Sequence, residues 1–179
     1  MRKKETLVVG ILIIVLILLE TFSKNTITDA MNDANIHVHQ ILHKVDCDKG
    51  TLVFYELEEH PNGCNIGLLE KSLNKYKWVN GAVVDDFSEE EDLTWCLSGI
   101  GKSNEIGNPD ALQVAHGIVT NDNIVEVTVA LKDEEAKSAE IVDTDLGRIW
   151  YFLMEKETNH RPDIAGLDSD GEIVYGIGL

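Results

Sequence analysis

The chain has 179 residues, with 32 acidic against 15 basic side chains and a formal net charge of −17. A surface of that sign repels nucleic-acid phosphates and anionic lipid heads, so nucleic-acid binding is excluded; it is free to collect divalent cations loosely or to face a basic partner. With the first 23 residues set aside, the rest is long enough for one domain with its own core.

Arg2, Lys3 and Lys4 stand before an unbroken apolar run, Leu7–Leu19. At about 1.5 Å per residue the run is about 20 Å long, which suits a signal-peptide core better than a bilayer about 30 Å thick. Taken from Thr6 to Phe22 it reaches 17 residues, the lower limit for a span. Thr21-Phe22-Ser23 is a poor cleavage site, because cleavage wants small residues. Residues 1–23 are therefore expected to be an uncleaved signal anchor that meets the membrane through residues 6–22. Cleavage and secretion is the alternative. The basic residues before the run orient the N-terminus inward, which leaves the C-terminal domain extracytoplasmic.

Next, Ile27, Met31, Ala34, Val38, Ile41 and Val45 recur at steps of three and four, a helical apolar stripe. Thr26 or Thr28 can cap its start, with Asp29 in the first turn. The spacing predicts an amphipathic helix over Thr28–Lys44, within a segment 24–47. At Asp48-Lys49-Gly50 the period changes to that of strands. Thr51–Glu59 is rich in β-branched and aromatic residues, His60–Gly63 is a loop, and Cys64–Leu73 and Tyr76–Val84 are further strands. In the second, Asn80-Gly81 is a turn or bulge. The acidic block Asp85–Asp92 reads as a solvated loop, Leu93–Leu97 as a strand and Gly99–Pro109 as irregular. Three strand–turn–strand units follow: His116–Leu131, Ala139–Met154 and Ile164–Ile177. Short turns cannot join parallel strands, so a meander of antiparallel hairpins is expected over 48–179. The fold class is α+β: a β-rich ectodomain with one N-terminal amphipathic helix after the anchor. Expected core residues are Val53, Tyr55, Trp78, Trp95, Val127, Ile149, Tyr151 and Ile173, with Trp150 also read as core.

The motifs Lys49–Tyr55 (KGTLVFY), Gly117–Ile124 (GIVTNDNI), Gly147–Phe152 (GRIWYF) and Asp170–Tyr175 (DGEIVY) carry a resemblance. The chain resembles small uncharacterised exported or membrane-anchored proteins of Bacillus-like Gram-positive bacteria. The resemblance implies localisation and fold, and no chemistry.

Candidate chemistry fails at a needed residue in each motif. His39 and His43 would share a helix face, with Asp46 one turn on, but Gln40 stands where a zinc hydrolase needs Glu. Gly99–Ser103 ends like a phosphate loop, yet Cys96 occupies the first Gly position. Asp168 and Asp170 open a calcium-like loop, yet Ile173 occupies its Gly position, and a hairpin turn explains the same residues. Asp86, Glu89 and Glu90 can hold calcium only loosely. Cys47, Cys64 and Cys96 leave open one disulfide with a free thiol or none paired. As a nucleophile, a cysteine would need a His such as His60 or His116. Trp78, Trp95, Trp150, Tyr55 and Tyr151 read as core rather than as a sugar-binding face. The expectation is a membrane-tethered extracytoplasmic interaction module for a protein or cell-envelope partner. It needs no catalytic residues, no cofactor and no bound metal; His39, His43, Asp168 and Asp170 are the weak metal candidates. The alternatives are a surface hydrolase using carboxylates such as Glu56 and Asp145, or a weakly calcium-dependent binding protein.

Overall fold

The computed structural model describes residues 25–61, 63–72, 75–83, 91–101, 111–155 and 160–178. The expected anchor, most of the acidic block Asp85–Asp92, and Lys102-Ser103 lie outside them. Among the described residues, no helix is long and apolar enough to cross a membrane.

Helix α1 (Ile27–Asp33) starts on a capping box. The Thr26 hydroxyl accepts the Asp29 N–H at 3.0 Å, and the Asp29 carboxylate accepts the Thr26 N–H at 2.7 Å. It ends after seven residues at Ala34-Asn35, where Asn35 is left-handed with φ 62°. The expected helix over Thr28–Lys44 is therefore corrected, because Val38–Cys47 forms strand β1. Two bulges explain the helical spacing. They fall between Val38 and Gln40 and between Ile41 and His43, along the pairing with β2 (Gly50–Leu57). Val38 lies opposite Leu57, Ile41 opposite Tyr55 and Lys44 opposite Val53, so one strand face takes every third residue. The other face takes Gln40 and His43, opposite Glu56 and Phe54. Bulges insert an extra residue and so convert period two into a local period of three.

Strands β1, β2, β3 (Asn65–Ser72) and β4 (Lys75–Ala82) pair in chain order as one antiparallel sheet, here sheet A. The inner face of β2 and β3 carries Leu52, Phe54, Ile66 and Leu68; the outer carries Val53, Tyr55 and Leu69 against Ala30 and Met31 of α1. The expected covering of one sheet face by the helix is met, by a much shorter helix. β4 carries a bulge beside the expected turn or bulge at Asn80-Gly81: Leu68 and Leu69 of β3 pair with Asn80 and Trp78, which leaves Val79 as the extra residue.

Eight more strands follow: β5 (Cys96–Gly101), β6 (Ala111–Val119), β7 (Glu126–Ala130), β8 (Lys137–Ser138), β9 (Glu140–Thr144), β10 (Gly147–Leu153), β11 (Asp163–Leu167) and β12 (Ile173–Ile177). They form sheet B in the order β5-β6-β10-β9 and sheet C in the order β12-β11-β7-β8, both antiparallel. Sheet B is the middle layer. Val114, Ile118, Ile149 and Tyr151 face sheet A, while the alternate residues Ala115, Val119 and Trp150 face Val127, Val129 and Ile164 of sheet C. β6 is buried along its whole length, as a strand covered on both faces must be.

Among the described residues the fold is β-rich, with three antiparallel sheets and one short helix. Two of the three expected strand–turn–strand units are hairpins, β9–β10 and β11–β12. The first, His116–Leu131, instead crosses from sheet B to sheet C. Arg148 braces that corner by donating to the carbonyls of Ile124 and Asn121, each at 2.6 Å. Val53, Tyr55, Val127, Ile149, Tyr151 and Trp150 are buried, while Trp78 and Trp95 are half-buried. Ile173 is 57% exposed, which corrects its assignment to the core. A register shift at Val174 breaks the alternation from Tyr175, so Ile173 turns outward opposite Leu167.

Candidate functional site

α1 lies on the outer face of sheet A and leaves a cleft at each end. The cleft beyond its C-terminus encloses about 460 Å³. Its floor is Trp78, Tyr55 and Gly81; Ile36, Leu57 and Val83 wall it, and His37 and Glu59 stand at its rim. Two glycines seat the indole. Gly67 and Gly81 face each other in register on β3 and β4. A Cβ on Gly67 would lie 2.0 Å from Trp78 Cη2, and one on Gly81 would lie 2.7 Å from Trp78 Cζ2. The Tyr55 ring meets the indole edge-on at a centroid distance of 6.0 Å. Burial pushes the Tyr55 hydroxyl up to about 12, so it stays protonated as a neutral hydrogen-bonding group. A concave aromatic floor with a few polar groups at its rim is the usual form of a ligand site. Val83, 62% exposed, adds apolar surface at the mouth.

The cleft at the other end of α1 encloses about 760 Å³ and is lined by Asn25, Thr26, His43, Lys44, Lys71 and Tyr76 among others. Asn25 clamps the chain to β4: its amide donates to the Tyr76 carbonyl at 2.8 Å and its oxygen accepts the Tyr76 N–H at 2.6 Å. The Lys71 ammonium sits 5.5 Å above the Tyr76 ring. Desolvation lowers the His43 pKa, with the Glu140 carboxylate opposing.

A third polar group is internal. Cys96 and His116 are directly opposed on β5 and β6, with Ser98 two residues on. The Ser98 hydroxyl lies 3.1 Å from His116 Nε2 and 3.8 Å from Cys96 Sγ. His116 is fully buried, which drives its pKa down to about 3, and its Nδ1 has no hydrogen-bond partner among the described residues. A neutral imidazole beside a hydroxyl has the makings of a nucleophile and base. Here it is sealed against Phe54, whose ring is 6.2 Å away, and none of the described clefts reaches it. The sequence carried no local signal of it: Ser98 lies just past the expected strand Leu93–Leu97 and meets His116 only through the β5–β6 register.

The other candidates disperse. His39 is exposed in a bulge, whereas His43 stacks between Phe54 and Tyr151 at 6.1 and 5.7 Å, so the expected shared helix face is corrected. Asp168 turns its carboxylate onto the N–H groups of Asp170 and Glu172, both at 3.0 Å, and Asp170 is exposed in that turn. Among the described residues, no group of three or more ligating side chains could hold a metal. Glu56 is buried with the Gln40 amide donating to it, while Asp145 is exposed in the β9–β10 turn. Cys47, Cys64 and Cys96 are all free thiols. His60 is exposed in its loop. Of the aromatic set, Trp150 and Tyr151 belong to the interior, and Trp95 lies under the Arg161 guanidinium at 4.5 Å. Only Trp78 and Tyr55 come together at a cleft.

Compared with known proteins, the chain matches no family model, no curated protein and no solved structure.

Proposed function

We propose that the chain is a non-catalytic binding module, tethered to the membrane by residues 6–22 and displayed extracytoplasmically, and that the Trp78–Tyr55 cleft is its binding site for a cell-envelope or protein partner. The observation that carries the reading is the chemistry of that cleft. It joins an indole, a phenol ring and three aliphatic walls to one imidazole, one carboxylate and the amides of Asn35 and Asn80. Such a site holds a ligand by stacking and apolar burial and orients it by a few hydrogen bonds. The polar pair Ser98–His116, by contrast, is shut away from any substrate.

The test uses the full chain in detergent, titrated with soluble cell-envelope fragments and monitored by tryptophan emission. Binding should shift the emission of Trp78, and Val83→Asp should abolish the shift without unfolding the protein. Absence of any shift, a shift insensitive to Val83→Asp, or chemical conversion of a fragment would overturn the reading.

A further inference from the structure

The mean charge of the chain hides a local reversal around Asn25. Among the described residues the cleft of about 760 Å³ is lined by the side chains of Lys44 and Lys71 and by no carboxylate, the His43 ring lying on the other face of β1. Lys75 ends the β3–β4 pairing opposite Ser72, and Lys24 precedes Asn25 in the sequence. Among the described residues, the ion pairs are Lys137–Glu155 and Arg148–Asp122, and neither includes Lys44, Lys71 or Lys75. Two carboxylates of the flanking elements are turned onto hydrogen-bond donors. Asp29 caps Thr26, Asp46 accepts the Thr51 hydroxyl, and Glu70 lies opposite Lys77.

Position gives the patch its meaning. The apolar run ends at Phe22, three residues before the Asn25 clamp. Three residues reach at most about 11 Å, close to the Debye length of about 10 Å at 0.1 M salt and beyond that of about 8 Å at physiological salt. The lysines of the cleft thus stand within electrostatic range of any bilayer that holds the run. Tyr76, with Lys71 above its ring, is the kind of amphipathic pair that suits a headgroup layer.

We propose that the cleft bounded by Asn25, Lys44, Lys71 and Tyr76 docks on anionic lipid headgroups of the leaflet from which the chain emerges. The inference rests on the proposed anchor. It replaces the repulsion expected from the mean charge with an orienting effect: the basic end is drawn down and the acidic remainder is held off.

Vesicle flotation and hydrogen exchange on the full chain test this. The chain is reconstituted in phosphatidylcholine nanodiscs with or without phosphatidylglycerol. In the anionic discs, amides of residues 25–28, 41–44 and 71–72 should exchange more slowly by about fivefold per engaged lysine. The protection should vanish in high salt and in Lys44→Glu/Lys71→Glu, while β6 and β10 stay unchanged. Equal exchange in both lipids, or protection that survives charge reversal, would overturn the proposal. So would equal protection by inorganic phosphate without lipid, which would mark a soluble-anion site. A chain that fails to float with neutral vesicles would refute the anchor alone. Docking is then decided by anionic vesicles: salt-sensitive flotation lost in the double variant upholds it, and no flotation overturns it.

Discussion

The indole of Trp150 donates its N–H to the Thr94 carbonyl at 2.9 Å, across 56 residues of sequence. The bond fastens the segment before β5 to the centre of sheet B, and it leaves no space between. A Cβ on Gly117 would fall 1.9 Å from the Thr94 oxygen and 2.7 Å from Trp150 Nε1. Trp150 is wholly buried, so Trp150→Ala should cost about 3–5 kcal/mol. Trp150→Phe keeps most of the volume, strands the Thr94 carbonyl, and should cost about 1–3 kcal/mol. Gly117→Ala meets backbone rather than a movable side chain, and should cost more than about 4 kcal/mol or prevent folding. Urea titration of the three variants checks this order.

His116 makes stability pH-dependent with a definite sign. Its pKa is held at about 3 in the folded protein, against an ordinary value of 6.5. Between those values the unfolded chain binds a proton that the folded chain refuses, so stability is full above pH 6.5 and falls as pH drops. The slope approaches about 1.4 kcal/mol per pH unit below the unfolded pKa. Desolvation of His43 acts in the same direction. Unfolding curves at pH 7, 6 and 5 should show this loss, and His116→Gln should flatten the slope whatever it does to stability at pH 7. An unchanged slope would show that the ring is protonated or hydrated in the fold.

Gly67→Ala should act on the aromatic cleft. The added methyl would lie 2.0 Å from the far edge of the Trp78 ring, which is only half-buried and has room to move outward. The expected outcome is a folded protein, destabilised by about 1–3 kcal/mol, with red-shifted tryptophan emission. An emission maximum identical to that of the parent would mean that the indole does not rest on Gly67.

The thiols should separate by reactivity. Cys64 is fully buried, and burial together with the Glu56 carboxylate pushes its pKa up to about 12. Cys47 and Cys96 are partly exposed. Iodoacetamide at pH 8 should label Cys47 and Cys96 in the native state and reach Cys64 only after unfolding, because the thiolate is the reactive form. Mass mapping before and after urea reads this directly.

The sequence was most legible where chain neighbours pair with each other. The turn at Asp48-Lys49-Gly50 with the strand after it, the β9–β10 and β11–β12 hairpins and most of the core follow from alternation and turn residues. β1 was misread for a stateable reason: its bulges put Val38 and Ile41 three apart on one face, and Val45, which packs on the other face, completed the spacing of a helix stripe. Nothing local marks a bulge without its partner strand. The outward Ile173 has the same cause at Val174. The aromatic cleft was half visible. Trp78 and Tyr55 stood out as aromatics, but their meeting over Gly67 and Gly81 depends on pairing across β2, β3 and β4. His116 was noted without support, because Ser98 comes beside it only through the β5–β6 register.

The layering also fixes an order of events in folding. Sheet A is made from consecutive hairpins, so contacts within residues 38–82 can close early and cheaply. Beyond it the chain alternates between layers: β5 and β6 go to sheet B, β7 and β8 to C, β9 and β10 back to B, and β11 and β12 to C. β11, second to last in the sequence, is an interior strand of its sheet and pairs with both β7 and β12. A nascent chain therefore lacks Ile164 and Tyr175, which close the second core over Val127, Val129 and Trp150, until residues 163–177 have arrived. Loss of those residues leaves no smaller finished protein. It leaves a molecule opened down its second core, a substrate for proteases and for its own aggregation.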